Sequence, residues 1–174
     1  MIENVSERLI DGQDRRLQPA YASSYRAAAA CGREVTRLLE AVEAGVAAWY
    51  AGGDVDKPIV RRSPSRCIVQ CGPVALTITW LQSGRGTVAE GELLVMLWRG
   101  AVARRSPRDF ERVAERPGES SATALWEEVL VVDAQSEAAW RWASPGTETV
   151  TSAALADRCV DRLRAAYAEC AVAS

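Results

Sequence analysis

Leu93-Leu94-Val95-Met96-Leu97-Trp98 is an unbroken run of six apolar residues. Six residues suit a strand and are too few for an ordinary helix, and successive side chains of a strand point to opposite faces. A strand here is therefore apolar on both faces. It is either central, or its second face is covered by a helix or a partner. Residues 74–82 behave differently, because Val74, Leu76, Ile78 and Trp80 alternate with positions that include Thr77 and Thr79, the period-two pattern of a strand with one apolar face. Ser83-Gly84-Arg85-Gly86 reads as the hairpin loop joining the two, with the chain returning over residues 87–101.

The flanking sequence supplies the other elements. Residues 66–71 read as a short strand. Residues 125–133 and 138–143 form a second hairpin around Ala134-Gln135-Ser136-Glu137, with Trp140 and Trp142 on one face. Pro19 is a good first helical residue. Over residues 20–51, Tyr21, Tyr25, Ala28, Cys31, Val35, Leu38, Leu39, Val42, Val46 and Trp49 recur at helical spacing until Gly52-Gly53. Such a helix is about 45 Å long at ~1.5 Å per residue, so Gly32 and Gly45 are candidate bends. Residues 54–64 are a polar loop with two prolines. Residues 106–123 are loop-like, with a short helix over 107–115 and a break at Pro117-Gly118. Ser144-Pro145-Gly146 is a turn, and residues 152–172 are a final helix burying Leu155, Cys159, Leu163, Ala166, Tyr167 and Cys170.

The expectation is an α+β fold: a five-stranded antiparallel sheet with a long N-terminal helix and a C-terminal helix packed on one face, a two-layer sandwich. Residues 1–18 form a polar N-terminal arm and residues 19–174 a single domain. This order of elements is similar to the type III secretion chaperone fold and, more loosely, to the helix-grip ligand-binding folds. That likeness implies a chaperone-like, protein-binding role.

Composition narrows the chemistry. The chain has no histidine, and Lys57 is the single lysine among 21 basic residues. Ser-His and Cys-His dyads and imidazole metal ligands are thereby excluded. No P-loop or dinucleotide-binding motif is present. Cys67 and Cys71 are four apart, but on a strand that spacing separates them by ~13 Å, too far to share a metal. Cys67, beside Arg66, is the best candidate for an activated thiol, whereas Cys31, Cys159 and Cys170 read as core thiols. Glu90 and Glu92 point the same way on one strand, the adjacent Glu127 and Glu128 oppositely, and Asp54-Val55-Asp56 lacks the further oxygens of a calcium loop. The sequence calls for no cofactor, no metal and no catalytic residue, and leans away from an enzyme. An odd number of cysteines, five, an N-terminus unlike a secretory leader and no ~20-residue apolar span lead to the expectation of a cytoplasmic protein with no membrane partner.

Two surfaces remain. Arg99, Arg104, Arg105 and Arg108 follow the apolar strand and form a candidate anion-binding patch, balanced in part by Asp109, Glu111 and Glu115. Six tryptophans accompany one phenylalanine, and tryptophan favours the margins of cores and interfaces. Leu94, Met96, Trp98, Trp140 and Trp142 are accordingly the candidate partner-binding residues. The leading expectation is a non-catalytic binding or adaptor protein whose sheet pairs with a protein partner or with itself as a homodimer. One alternative is a carrier holding a small acidic or apolar ligand between sheet and long helix. The other is nucleic-acid or phosphate binding through the basic middle segment, disfavoured by the acidic net charge of -2.

Overall fold

A computed structural model describes residues 21–82, 87–103, 122–144 and 149–172. The expected N-terminal arm, the 83–86 hairpin loop, the 107–115 helix and the Pro145-Gly146 turn lie outside them.

Helix α1 (Tyr25–Ala51) buries Ala27, Ala30, Cys31, Val35, Leu38, Leu39, Val42, Val46 and Trp49, the three- and four-residue spacing of one apolar stripe. It begins later than the periodicity suggests. Ser24 is extended and its Oγ accepts from the Ala27 N–H at 3.1 Å, so a serine N-cap separates this helix from the helical residues Tyr21 and Ala22 before it. At the other end the Gly52 N–H reaches the Ala48 and Trp49 carbonyls, and Gly53 takes φ +81°, a left-handed exit that glycine adopts without penalty. Neither Gly32 nor Gly45 breaks the helix. Gly45 instead admits helix α2 (Ser152–Val172), since a Cβ there would stand 3.0 Å from Val160 Cγ2.

Among the described residues the sheet has six antiparallel strands in sequence order, not five. They are β1 (Ile59–Ser63), β2 (Arg66–Cys71), β3 (Val74–Leu81), β4 (Glu92–Arg99), β5 (Thr123–Ala134) and β6 (Trp140–Ala143). The additional strand, β1, occupies the stretch expected to be a polar loop. As an edge strand it needs little apolar patterning, and Val60, Arg61, Arg62 and Ser63 are all exposed. Strand β4 begins at Glu92 because a 3-10 turn, Val88–Glu90, precedes it. Gly91 is required there: the Trp80 ring lies where a side chain would be, 2.3 Å from an ideal Cβ. Between β4 and β5 the register shifts at Leu97/Trp98, leaving Leu125 as an extra residue of β5.

Strand alternation defines two faces. One, here the Cys67 face, carries Cys67, Val69, Val74, Leu76, Ile78, Leu93, Val95, Leu130, Trp140 and Trp142, which form one core cluster with the stripes of both helices. Polar ties reinforce these contacts. The Trp142 Nε1–H donates to Ser152 Oγ at 2.9 Å, and the Ser152 hydroxyl donates to Glu34 at 2.7 Å. Glu128 pairs with Arg158 at 2.8 Å, Arg162 lies 4.3 Å from the Trp126 ring centre, and Arg62 reaches Glu43 at 3.1 Å. Among the described residues no helix is long and apolar enough to cross a membrane.

Candidate protein-binding face

The opposite face, here the Met96 face, follows from the strand register as four levels. Arg66, Thr79, Leu94 and Val129 lie side by side across β2 to β5. Arg61, Ile68, Thr77, Met96 and Glu127 form the next level, from β1 to β5. Ile59, Gln70, Ala75, Trp98 and Ala124 make the third. Beyond the first, Leu81, Glu92, Val131 and Ala143 make the fourth. Ile68, Leu94, Met96, Trp98 and Val129 are partly exposed, and Val131 and Leu81 are 39% and 47% exposed. Thr77 is buried, at 6%, because the neighbouring Trp98 folds over it, its Nε1–H donating to Thr77 Oγ1 at 3.0 Å. The indole donor thus has a partner within the face, and the partly exposed remainder of the ring is apolar.

Gln70 organises one end of this face. Its Nε2 lies 2.8 Å from the Gly72 carbonyl, 3.0 Å from Val74 and 3.1 Å from Gly100, while Oε1 accepts from the Val102 and Ala103 N–H groups at 2.8 and 3.2 Å. One buried amide therefore draws the chain leaving β4 back toward β2. Gly100 makes this possible with φ +110°, its backbone passing so near Ala122 that a Cβ would stand 3.0 Å from Ala122 Cα. The sequence reading missed Gln70. A glutamine in an otherwise apolar strand is the signal available to it, and that signal does not say what the amide holds.

The five expected partner-binding residues are divided between the faces. Leu94, Met96 and Trp98 share the Met96 face, adjacent along β4. Trp140 and Trp142 do not join them: they lie on the Cys67 face, 4% and 0% exposed, in edge-to-face contact at 5.9 Å, with Trp80 5.8 Å from Trp142. The two tryptophans do share a face, but it is the one buried against helix residues. Of the anion-binding set, Arg99 is exposed at the end of β4, opposite Val74 and Thr123; Arg104, Arg105 and Arg108 lie outside the described residues.

Burial holds Cys31, Cys67, Cys71 and Cys159 as thiols and not as activated thiolates. All five cysteines are free and buried. Burial, with a smaller contribution from Glu43, pushes Cys67 up to about 11 against the opposing pull of Arg62; burial likewise takes Cys71 to about 11 and, as the largest cause, Cys31 and Cys159 to about 12. All four are protonated thiols at neutral pH. No group of three His, Cys, Asp or Glu residues suited to a metal occurs among the described residues. A shallow groove of about 520 Å³ runs along α2 between Ala154, Asp157, Arg158, Asp161, Arg162 and Ala165, with Arg158 and Arg162 engaged by Glu128 and Trp126.

No family model, no curated protein and no solved structure matches this chain.

Proposed function

We propose that this is a non-catalytic binding or adaptor protein, built as a two-layer sandwich with both helices on the Cys67 face and a protein partner on the Met96 face. The observation that carries the reading is the partly exposed apolar strip of Ile68, Leu94, Met96, Trp98 and Val129, continued by the exposed Val131 and Leu81. An apolar strip of this extent on a sheet face marks an interface more often than an ordinary wet surface. The protonated state of the buried thiols supports a binding role over a cysteine-based enzyme. A carrier would need space between sheet and α1, where Leu38, Leu39, Val42, Leu76, Ile78 and Leu93 are already packed to 1% exposure or less.

The test is the Leu94→Asn/Met96→Asn variant. Both positions are partly exposed, so the fold is expected to survive, as judged by circular dichroism, while association with any partner is lost. A folded variant that associates as before would refute the proposal.

A further inference from the structure

The charges on the Met96 face are segregated. On β1 and β2 they are Arg61 and Arg66; on β4 and β5 they are Glu92, Glu127 and Asp133, with Arg141 opposite Asp133 on β6. The apolar strip lies between them. A face with a positive rim, an apolar middle and a negative rim complements itself when turned over. We propose that the partner on the Met96 face is a second copy of this chain, stacked face to face about a two-fold axis that runs parallel to the strands over β3. The proposal rests on the reading of this face as protein-binding and specifies its occupant.

Rotation about that axis keeps each level and reverses the strand order. The β1 strand of one copy comes over β5 of the other, β2 over β4, and β3 over β3. Within the level of Met96, Arg61 faces Glu127 of the second copy and Ile68 faces its Met96, while at the axis the Trp98 ring that covers Thr77 faces its counterpart. Arg66, on the next strand and level, approaches the same carboxylate. Each contact occurs twice, as an isologous interface requires. Twisted sheets stacked this way sit ~10 Å apart at about -30°, a spacing that interdigitated Ile68 and Met96 side chains fill. Moving the axis half a strand toward β4 sets Glu127 against Ile68, a desolvated carboxylate on an apolar side chain. With the axis over β3 the charge set on an apolar residue is Arg66, over Leu94 of the second copy, whose long stem packs there while its guanidinium reaches toward Glu127.

The contact is modest. Five strands at ~4.8 Å and eight residues at ~3.3 Å give a footprint of roughly 630 Å² per copy, below the ~800 Å² of standard stable complexes. A dimer of this size dissociates on dilution.

Sedimentation velocity of the full chain over a concentration series tests the proposal, with circular dichroism to verify the fold of each variant. Wild type is expected to shift from monomer to dimer as concentration rises. Arg61→Glu sets like charges against each other twice and is expected to weaken the dimer at least tenfold, as is Glu127→Arg. The double variant Arg61→Glu/Glu127→Arg restores opposite charges and is expected to recover the dimer. A double variant no better than the singles overturns this arrangement. A wild type that stays monomeric at every concentration, yet forms a complex with a different protein that Met96→Glu abolishes, overturns the second-copy proposal while the protein-binding reading stands. If Met96→Glu alters no assembly of any kind, both are overturned.

Discussion

Replacing Gln70 by leucine removes the amide that ties three strand ends together while keeping much of its volume. Two of the groups it satisfies are buried, the Val74 carbonyl and the Ala103 N–H. The contacts to Gly72, Gly100 and Val102 are only partly buried, so water replaces them at little cost. Leaving one buried backbone group unsatisfied costs about 1–3 kcal/mol. Because the Val74 carbonyl has a second lone pair, the sum is set at about 2–4 kcal/mol. Urea unfolding read by tryptophan fluorescence measures it as a fall in midpoint at constant slope. Gln70→Glu separates polarity from volume. Its carboxylate would face the carbonyls that Nε2 now contacts, and burial beside them raises its folded pKa above the unfolded value. A raised carboxyl pKa gives stability that is present below the unfolded pKa and lost as pH rises through the folded one. This variant is therefore expected to be weakest at neutral pH and to recover on acidification, relative to wild type. A loss under 1 kcal/mol in Gln70→Leu, with no pH dependence in Gln70→Glu, would refute the role assigned to this residue.

Other outcomes follow from the same packing. Gly91→Ala places a methyl 2.3 Å from the Trp80 ring and is expected to cost about 1–3 kcal/mol as overpacking, read as a lower Tm; an unchanged Tm would show that Trp80 moves freely. Cys31, Cys67, Cys71 and Cys159, protonated and buried, are expected to resist a thiol-specific disulfide reagent at pH 7 until the protein unfolds. Reaction of any one of them at the rate of a free thiol in the native protein would contradict the burial described. Trp142→Phe removes the donor to Ser152 and part of a fully buried ring, and is expected to destabilise by about 2–4 kcal/mol in chemical denaturation. A loss below 1 kcal/mol would exclude a structural part for the Trp142–Ser152–Glu34 tie.

How far each element could be read in the sequence depended on whether its signal was local. Strand β2, the alternation of β3 and the span of α2 follow from side-chain period alone, and they stand at the expected positions. Strand β1 has no such period. It is held at the edge by pairing with β2 across the tight turn at Pro64 and Ser65 and by Arg62 reaching Glu40 and Glu43 on α1, ion pairs that no period within residues 59–63 announces. Ser24 was hidden inside a helical stripe because Tyr21 and Tyr25 continue the spacing across it. The double-faced character of residues 93–98 was legible, and with it the placement of Leu94, Met96 and Trp98 on one face of the sheet. Which of the other expected residues share that face was not legible. Trp140 and Trp142 look like surface aromatics on a short polar strand, and only the register of β6 against β5 puts them on the same face as Leu130. Glu127 and Arg61, which frame the apolar strip, carry no sequence pattern that singles them out.

A native mass spectrum of the full chain beside that of its Leu94→Asn/Met96→Asn variant, at matched concentration, tests the central claim most directly. The expected result is an assembly above monomer mass in the wild type and monomer alone in the variant, with the same circular dichroism. A folded variant that keeps the wild-type mass distribution would contradict the claim that the Met96 face binds protein.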